Sequence, residues 1–419
     1  MKRPAGVEVL FARVGGLDVH KKLILACRRL VQEDGRITRE VRRFGTMTAD
    51  LSKLREWLLE AGVTHVAMES TGVLWRPVFN MLEGHLEVWL INAQHIKRVP
   101  GRKTDVRDAE WIAQLLQCGL VRPSFVPARA QRELRDLTRH RTKLVQQRTA
   151  VANRLQDVLE DANLKLGVVA SDVLGASGRA MLEAIIAGDD DPQRLAELAQ
   201  RQLRAKIPQL QQALHGRVTA HHRFMLRELL EQYDALEQAI ARVSARLEEV
   251  LPRPFHEAAE QLDAIPGVAR RAALAIASEL GTDMRRFPTH KHLASWAGRC
   301  PGNHESAGKH QSGKTRPGNR WLDGVLTEVA HAAVRTQGTY FQAQYHHLAP
   351  RRGKKRAIGA VKHSLLTTIY FMLRDGRPYQ DLGAEHFNRL NPAQRIRYHL
   401  RKLRELGQNV QIAPLENAA

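Results

Sequence analysis

The chain has 419 residues, 65 Lys+Arg against 44 Asp+Glu, a formal net charge of +21 and 43% apolar residues. That length suggests two or three domains with real cores, and the apolar fraction speaks against a disordered basic chain. The positive surplus points to a polyanionic partner, nucleic acid first, through phosphate neutralisation. No apolar run reaches the ~18 residues of a membrane span. The run Val9, Leu10, Phe11 and Ala12, bracketed by Glu8 and Arg13, is too short for a secretory leader, so a cytoplasmic, nucleoid-associated protein is expected. Cys27, Cys118 and Cys300 lie too far apart for a disulfide scaffold or a zinc site.

Residues 1 to about 130 alternate strands and helices. Val14 to Arg28 reads as strand, turn and strand, and Ile37 to Phe44 as a third strand after the turn signal Glu33-Asp34-Gly35. Leu51 to Leu59 is helical. Thr64 to Met68 is a short strand ending at Glu69, Thr71 to Leu82 is helical, and Leu86 to Asn92 is another strand. Asp105 to Cys118 has helical spacing through Ala109, Ile112, Ala113 and Leu116. Such alternation predicts an α/β domain.

A helical region is expected over 131–258. Leu226, Leu229, Tyr233, Leu236, Ile240, Val243, Leu247 and Val250 step by threes and fours, a heptad seam that predicts a coiled coil. Leu137, Leu144, Val151 and Val158 form an earlier seam in steps of seven, with Leu134, Arg141, Arg148 and Leu155 as its half-polar companions. The two seams can pair as an antiparallel hairpin within one chain, or between chains. Gly175 to Pro192 carries turn residues and the acidic run Asp189-Asp190-Asp191.

A third region, 259–380, opens with Ile265-Pro266-Gly267-Val268, a turn resembling a helix-hairpin-helix. Gly267 there would let backbone amides approach a phosphate. Arg351, Arg352, Lys354, Lys355 and Arg356 add a basic cluster, and 381–419 is expected to be a basic tail.

Four acids stand out. Asp18 falls inside the first strand, Glu69 ends the Val66-Ala67-Met68 strand, and Asp105 and Asp108 share one face at the start of a helix. A strand carboxylate is costly to bury unless paired or bound to a cation. Four acids meeting at one sheet edge would repel one another unless Mg²⁺ or Mn²⁺ sat among them, and two such ions suit phosphoryl transfer. Singly, each acid also suits a helix cap or a turn.

Gly16-Leu17-Asp18-Val19-His20-Lys21-Lys22, Met68-Glu69-Ser70-Thr71-Gly72 and Lys103-Thr104-Asp105-Val106-Arg107-Asp108-Ala109 resemble the DEDD transposases of bacterial insertion sequences, the IS-one-ten family related to Piv-type DNA invertases. The resemblance continues through Ile265-Pro266-Gly267-Val268, Phe287, Ala297-Gly298, Pro301-Gly302-Asn303, Glu305 to Lys309 and Lys314 to Leu322, covering roughly residues 10 to 380. It implies an α/β RuvC-like, ribonuclease-H-type N-terminal domain, a helical coiled-coil middle and a mainly α C-terminal transposase domain with a nucleophilic serine. It also implies donor and target DNA as partners, a structured bridge RNA as guide, and dimers or tetramers in which one subunit's acids complete a site with another's serine.

Ser306 best fits the serine-bearing motif, being the first serine after Pro301-Gly302-Asn303; Ser312 is its rival. Lys309, Lys314, Arg316 and Arg320 follow and would stabilise charge on a phosphate under attack. The bland alternative for the segment is a flexible basic loop. The expected function is a recombinase that cuts, exchanges and rejoins DNA strands. A metal-dependent Holliday-junction nuclease, which needs no protein nucleophile, and a non-catalytic nucleic-acid-binding protein are the other readings.

Overall fold

A computed structural model describes residues 9–410 apart from 71, 93–104, 301, 303, 307, 314 and 391, and omits the side chains of 105–107, 304–306, 310–312, 388, 390, 394 and 395. The chain divides into two compact units between Pro127 and Ala128.

The first unit runs β1 (Arg13–Val19), β2 (Ile24–Val31), β3 (Ile37–Phe44), α1 (Thr48–Glu60), β4 (His65–Glu69), α2 (Trp75–Leu82), β5 (Glu87–Ile91) and α3 (Asp105–Gln117). Its sheet has the order β3-β2-β1-β4-β5. The first three strands pair antiparallel, and β1–β4 and β4–β5 pair parallel. Alternate residues feed two cores, as the pleat requires. Leu17, Ile24, Val66 and Met68 pack with Leu54, Trp57 and Leu58 of α1 and Val78 and Leu82 of α2. Val14, Leu25, Cys27 and Ala67 pack on the opposite face with Ala109, Ile112, Ala113 and Leu116 of α3. The helix expected from Thr71 starts only at Trp75, because Gly72 takes a φ of +57°, outside the right-handed helical region.

The second unit is mostly helical. It comprises α4 (Arg129–Asp161), α5 (Leu166–Val169), α6 (Ala176–Ala187), α7 (Pro192–Glu197), α8 (Ile207–Ala213), α9 (Ala220–Glu249), α10 (Arg253–Asp263), α11 (Arg270–Leu280) and α12 (His290–Trp296). A two-stranded hairpin follows, β6 (His304–Ser306) and β7 (Lys309–Ser312). Then come α13 (Arg320–Ala333), α14 (Tyr340–Arg352), α15 (Lys354–Asp375), α16 (His386–Leu390) and α17 (Pro392–Glu405).

The two long helices α4 and α9 pack antiparallel within one chain. Arg141 Nε donates to Ser244 Oγ at 2.8 Å, Arg148 pairs with Glu237, Arg154 reaches Gln232 at 3.1 Å, and His222 meets Asp161 at 2.9 Å. The half-polar seam of α4 is thereby accounted for: Arg141 and Arg148 each find a polar partner on α9, which selects one register over its neighbours. On α9, Leu226, Leu229, Ile240 and Leu247 are buried and Tyr233, Leu236 and Val243 half-buried.

Residues 162–219 form a small helical module at the far end of this pair, sharing a core with Val151, Leu155, Leu159, Leu226 and Leu230. The acidic run there has local work. Asp191 caps α7 by accepting from Gln193 N at 3.0 Å, Asp189 pairs with Arg194 at 2.9 Å, and Asp190 pairs with Arg223.

Helices α10, α11, α13 and α15 enclose the main core of this unit around Leu262, Ile276, Leu326, Val361 and Leu365. Residues expected as a basic tail contain two helices, α16 and α17. Among the described residues no helix is long and apolar enough to cross a membrane.

Candidate active site

Asp18 is the sixth residue of β1, and the parallel register with β4 runs through Leu17 opposite Met68. One step further brings Asp18 beside Glu69, at the carboxyl ends of neighbouring parallel strands. By alternation both fall on the sheet face of Gly16 and Ala67, the face that α3 covers. Helix α3 runs antiparallel to β1, since its C-terminal Gln117 carbonyl accepts from Leu10 N at 2.8 Å and Phe11 N at 3.2 Å, just before β1 begins. Its N-terminus, with Asp105 and Asp108, therefore lies toward the β1 end that carries Asp18.

Gly16 makes this close crossing possible. A Cβ built there would fall 2.3 Å from the Ala109 carbonyl oxygen and 2.4 Å from Ala113 N. A glycine inside a strand often marks such a backbone approach, and this one precedes Asp18 by two residues while Ala109 follows Asp108 by one.

Asp18, Glu69 and Asp108 are half-buried, and the Asp105 side chain lies outside the described set. The Asp18 side chain is 15% exposed and its Oδ2 lies 2.9 Å from His20 Nε2. Among the described residues no group of three or more His, Cys, Asp or Glu side chains is gathered closely enough to hold a metal ion. The donor chemistry fits a hard divalent cation nonetheless: half-buried carboxylates brought to one sheet edge, with no described ion pair to Lys or Arg at Asp18 or Glu69.

The segment holding Ser306 forms a strand hairpin rather than an irregular loop. His304 pairs with Ser312, Glu305 with His310 and Ser306 with Lys309, with a bulge between His304 and Glu305. Gly308 turns the chain at φ +74°, and a Cβ there would meet open space. Ser306 thus stands at the tip of the hairpin and Ser312 at its base. Lys309, Arg316 and Arg320 are exposed, and Lys314 lies outside the described residues, as do Lys103, Thr104, Pro301, Asn303 and Ala307.

The base of this hairpin is tied down in ways the sequence reading missed. Asn319 caps α13, its Oδ1 accepting from Trp321 N at 3.0 Å and Leu322 N at 3.2 Å, while its Nδ2 donates to Glu279 Oε2 at 2.6 Å. The Glu279 side chain, 3% exposed, also receives both arms of Arg139 at 2.6 and 2.8 Å. On the entry side Arg299 pairs with Asp323 at 3.0 Å, Asp323 pairs with the buried Lys362, and His363 Nδ1–H donates to the Arg299 carbonyl at 3.2 Å. Arg320, Arg139 and Lys143 lie 4.9, 5.7 and 5.9 Å from the Trp321 ring centre. A charged residue inside the apolar run Ala272 to Leu280 was the one available signal for Glu279.

Gly267 has a packing reason. Its φ is +84°, and a Cβ there would fall 2.4 Å from Ala333 N and 2.9 Å from the Val329 carbonyl oxygen, so the turn closes directly on α13.

Residues 15–163 match a DEDD-type transposase family, and residues 259–346 match the transposase IS116/IS110/IS902 family. The chain belongs to this transposase family. It is 27% identical over 331 residues to a probable family 20 transposase of Pseudomonas aeruginosa, covering 77% of this chain and 81% of that one. Against the transposase for insertion sequence element IS1111A of Coxiella burnetii it is 24% identical over 381 residues, covering 88% and 91%. The two matched segments of this transposase hold all four acids and the serine hairpin respectively.

Proposed function

We propose that this transposase cuts, exchanges and rejoins the DNA strands of its insertion sequence with two sets of residues. Asp18, Glu69, Asp105 and Asp108 would hold Mg²⁺ or Mn²⁺, and Ser306 would be the nucleophile. The first half is supported by the strand register, which runs on from Leu17 and Met68 to Asp18 and Glu69, and by the antiparallel course of α3 past Gly16, which turns its start toward the same end of β1. The mixed sheet covered on both faces supports the RuvC-like reading of residues 1–130, and the paired seams of α4 and α9 support the coiled-coil reading of 131–258. Residues 259–380 are read as the C-terminal transposase domain.

The chemistry divides between the two sets. A bound divalent ion supplies charge neutralisation at the phosphate and at the departing oxygen. Ser306 at the hairpin tip attacks phosphorus: an Oγ–P bond forms as a P–O bond to a deoxyribose breaks, and the hydroxyl proton passes to the departing oxygen or to solvent. The number of phosphoester bonds is unchanged, so rejoining by the reverse step needs no nucleotide cofactor. Exposed Lys309, Arg316 and Arg320, with Lys314, would meet the phosphate's charge. The net charge of +21 supports nucleic acid as the partner, and the family resemblance supports donor and target DNA, a structured guide RNA and a dimeric or tetrameric assembly.

The test is to incubate the full chain with its element's RNA, labelled donor DNA and Mg²⁺, denature, and map any adduct. An adduct at Ser306, lost in Ser306→Ala and with chelator, is expected. An adduct that maps to Ser312 or persists in Ser306→Ala defeats the assignment. Full recombination by Asp108→Ala defeats the four-acid site.

A further inference from the structure

The C-terminal end of α15 borders an open groove of about 810 Å³ lined by His290, His363, Phe371, Arg374 and Arg377 among others. Phe371 is 37% exposed, and the His290 ring lies 5.4 Å from its ring, centre to centre. The Arg374 guanidinium lies over the same ring at 4.8 Å and over Tyr370 at 5.3 Å. Asp375 grips that guanidinium with two bonds, Nε to Oδ1 at 2.5 Å and Nη2 to Oδ2 at 2.9 Å. The grip fixes the plane of a cation whose side chain remains 44% exposed. A guanidinium anchored over an aromatic ring offers a stacking surface to a nucleobase. Asp375 is already engaged by Arg374, and Arg377, exposed in the same groove, adds positive charge for a phosphate. One lining residue, His363, also holds the carbonyl of Arg299, five residues before the serine hairpin begins.

We propose that this groove holds one unpaired nucleobase of the DNA strand presented to the hairpin, stacked on Arg374 over Phe371, with its phosphate met by Arg377. The choice of strand rests on the reading of Ser306 given above; the stacking site itself does not. A strand opened for exchange exposes such bases, and every base offers a π-face, so the site would tolerate any sequence.

The test uses the full chain and a short single-stranded oligodeoxynucleotide carrying 2-aminopurine. Stacking should quench its fluorescence on binding. Arg374→Ala should weaken binding about tenfold and abolish the quench, and Arg377→Ala should weaken binding while keeping the quench. Arg374→Lys, which retains charge without the plane, should bind but fail to quench. Ser306→Ala should bind and quench as the parent does, so that loss of the groove and loss of the nucleophile are told apart. An unquenched parent complex, Arg374→Ala binding as the parent, or much tighter binding of the oligoribonucleotide of the same sequence overturns the proposal. Unfolding midpoints recorded alongside verify that these exposed positions leave the fold intact.

Discussion

Gly298 and Gly318 press backbone against backbone at the foot of the serine hairpin. A Cβ on Gly298 would fall 2.7 Å from Gly318 N, and a Cβ on Gly318 would fall 2.7 Å from Gly298 N. Gly298 also turns at φ +67°, which L side chains avoid. The two strands of the hairpin thus leave from a clasp that only glycines can form. Gly318→Ala is expected to displace the hairpin and abolish the serine adduct. Circular dichroism and gel filtration should show the rest of the chain folded, and an active, adduct-forming Gly318→Ala would show that the clasp does not position Ser306.

Gly16 should be equally intolerant. Alanine there drives a methyl group into the Ala109 carbonyl and Ala113 N. Overpacking of this kind costs about 2 kcal/mol or more, because neither backbone can yield cheaply. Denaturant unfolding is expected to show that loss. Recombination should fall with it although no acid has been changed.

Glu279 predicts a second stability effect. Glu279→Ala would leave the Arg135 and Arg139 guanidinium groups, 13% and 27% exposed, beside an empty carboxylate site. Breaking a buried pair this way costs on the order of 3 kcal/mol. Glu279→Gln, which keeps two hydrogen-bonding atoms, should lose less. Equal midpoints for parent and Glu279→Ala in a urea titration would contradict the role of this carboxylate.

The register of α4 against α9 is open to charge reversal. Arg148→Glu would oppose Glu237 across the pair and should cost about 1 kcal/mol, a modest figure because the side chains are 31% and 45% exposed. Adding Glu237→Arg should restore the parent midpoint. Failure of that rescue would argue against the intramolecular pairing.

Cysteine chemistry reports on the first unit. Burial against α3 pushes the Cys27 thiol up to about 12, leaving negligible thiolate at neutral pH, whereas Cys118 and Cys300 are half-exposed. Iodoacetamide at pH 8 should therefore label the native chain at no more than two sites. Cys27 should react only after denaturation, as peptide mass mapping would show.

The strands of the first unit were legible because alternating apolar residues and the Glu33-Asp34-Gly35 turn leave few alternatives, and β1 to β5 stand where that pattern puts them. Asp18 and Glu69 were noticeable for the same reason, as charges where the pleat expects apolar groups. The serine hairpin was illegible: His304 to Ser312 is polar on both faces, so no alternation marks it. The tip module was hidden behind its turn residues and acidic run, whose charges are used on a helix cap at Asp191, a nearby pair from Asp189 to Arg194 and a pair from Asp190 to Arg223 on α9. Glu279 could not be linked to Arg139 or Asn319 beforehand, because those contacts join residues 140 and 40 positions apart.

The antiparallel arm also behaves as a gauge. Helices of 33 and 30 residues, α4 and α9, carry the tip module away from the hairpin's foot. From Arg139, which meets Glu279 at that foot, to Asp161 at the far end of α4 the rise is about 33 Å at 1.5 Å per residue, the length of roughly 10 base pairs of duplex. Because Arg148 must stay opposite Glu237, the arm cannot lose residues from one helix alone; it shortens only by matched turns on both. Deleting seven residues from each would retract the tip by about 10 Å, close to three base pairs, while leaving every remaining cross-helix partner in place. The spacing between tip module and hairpin is therefore quantised, and relatives with longer or shorter arms should differ in steps of whole turns.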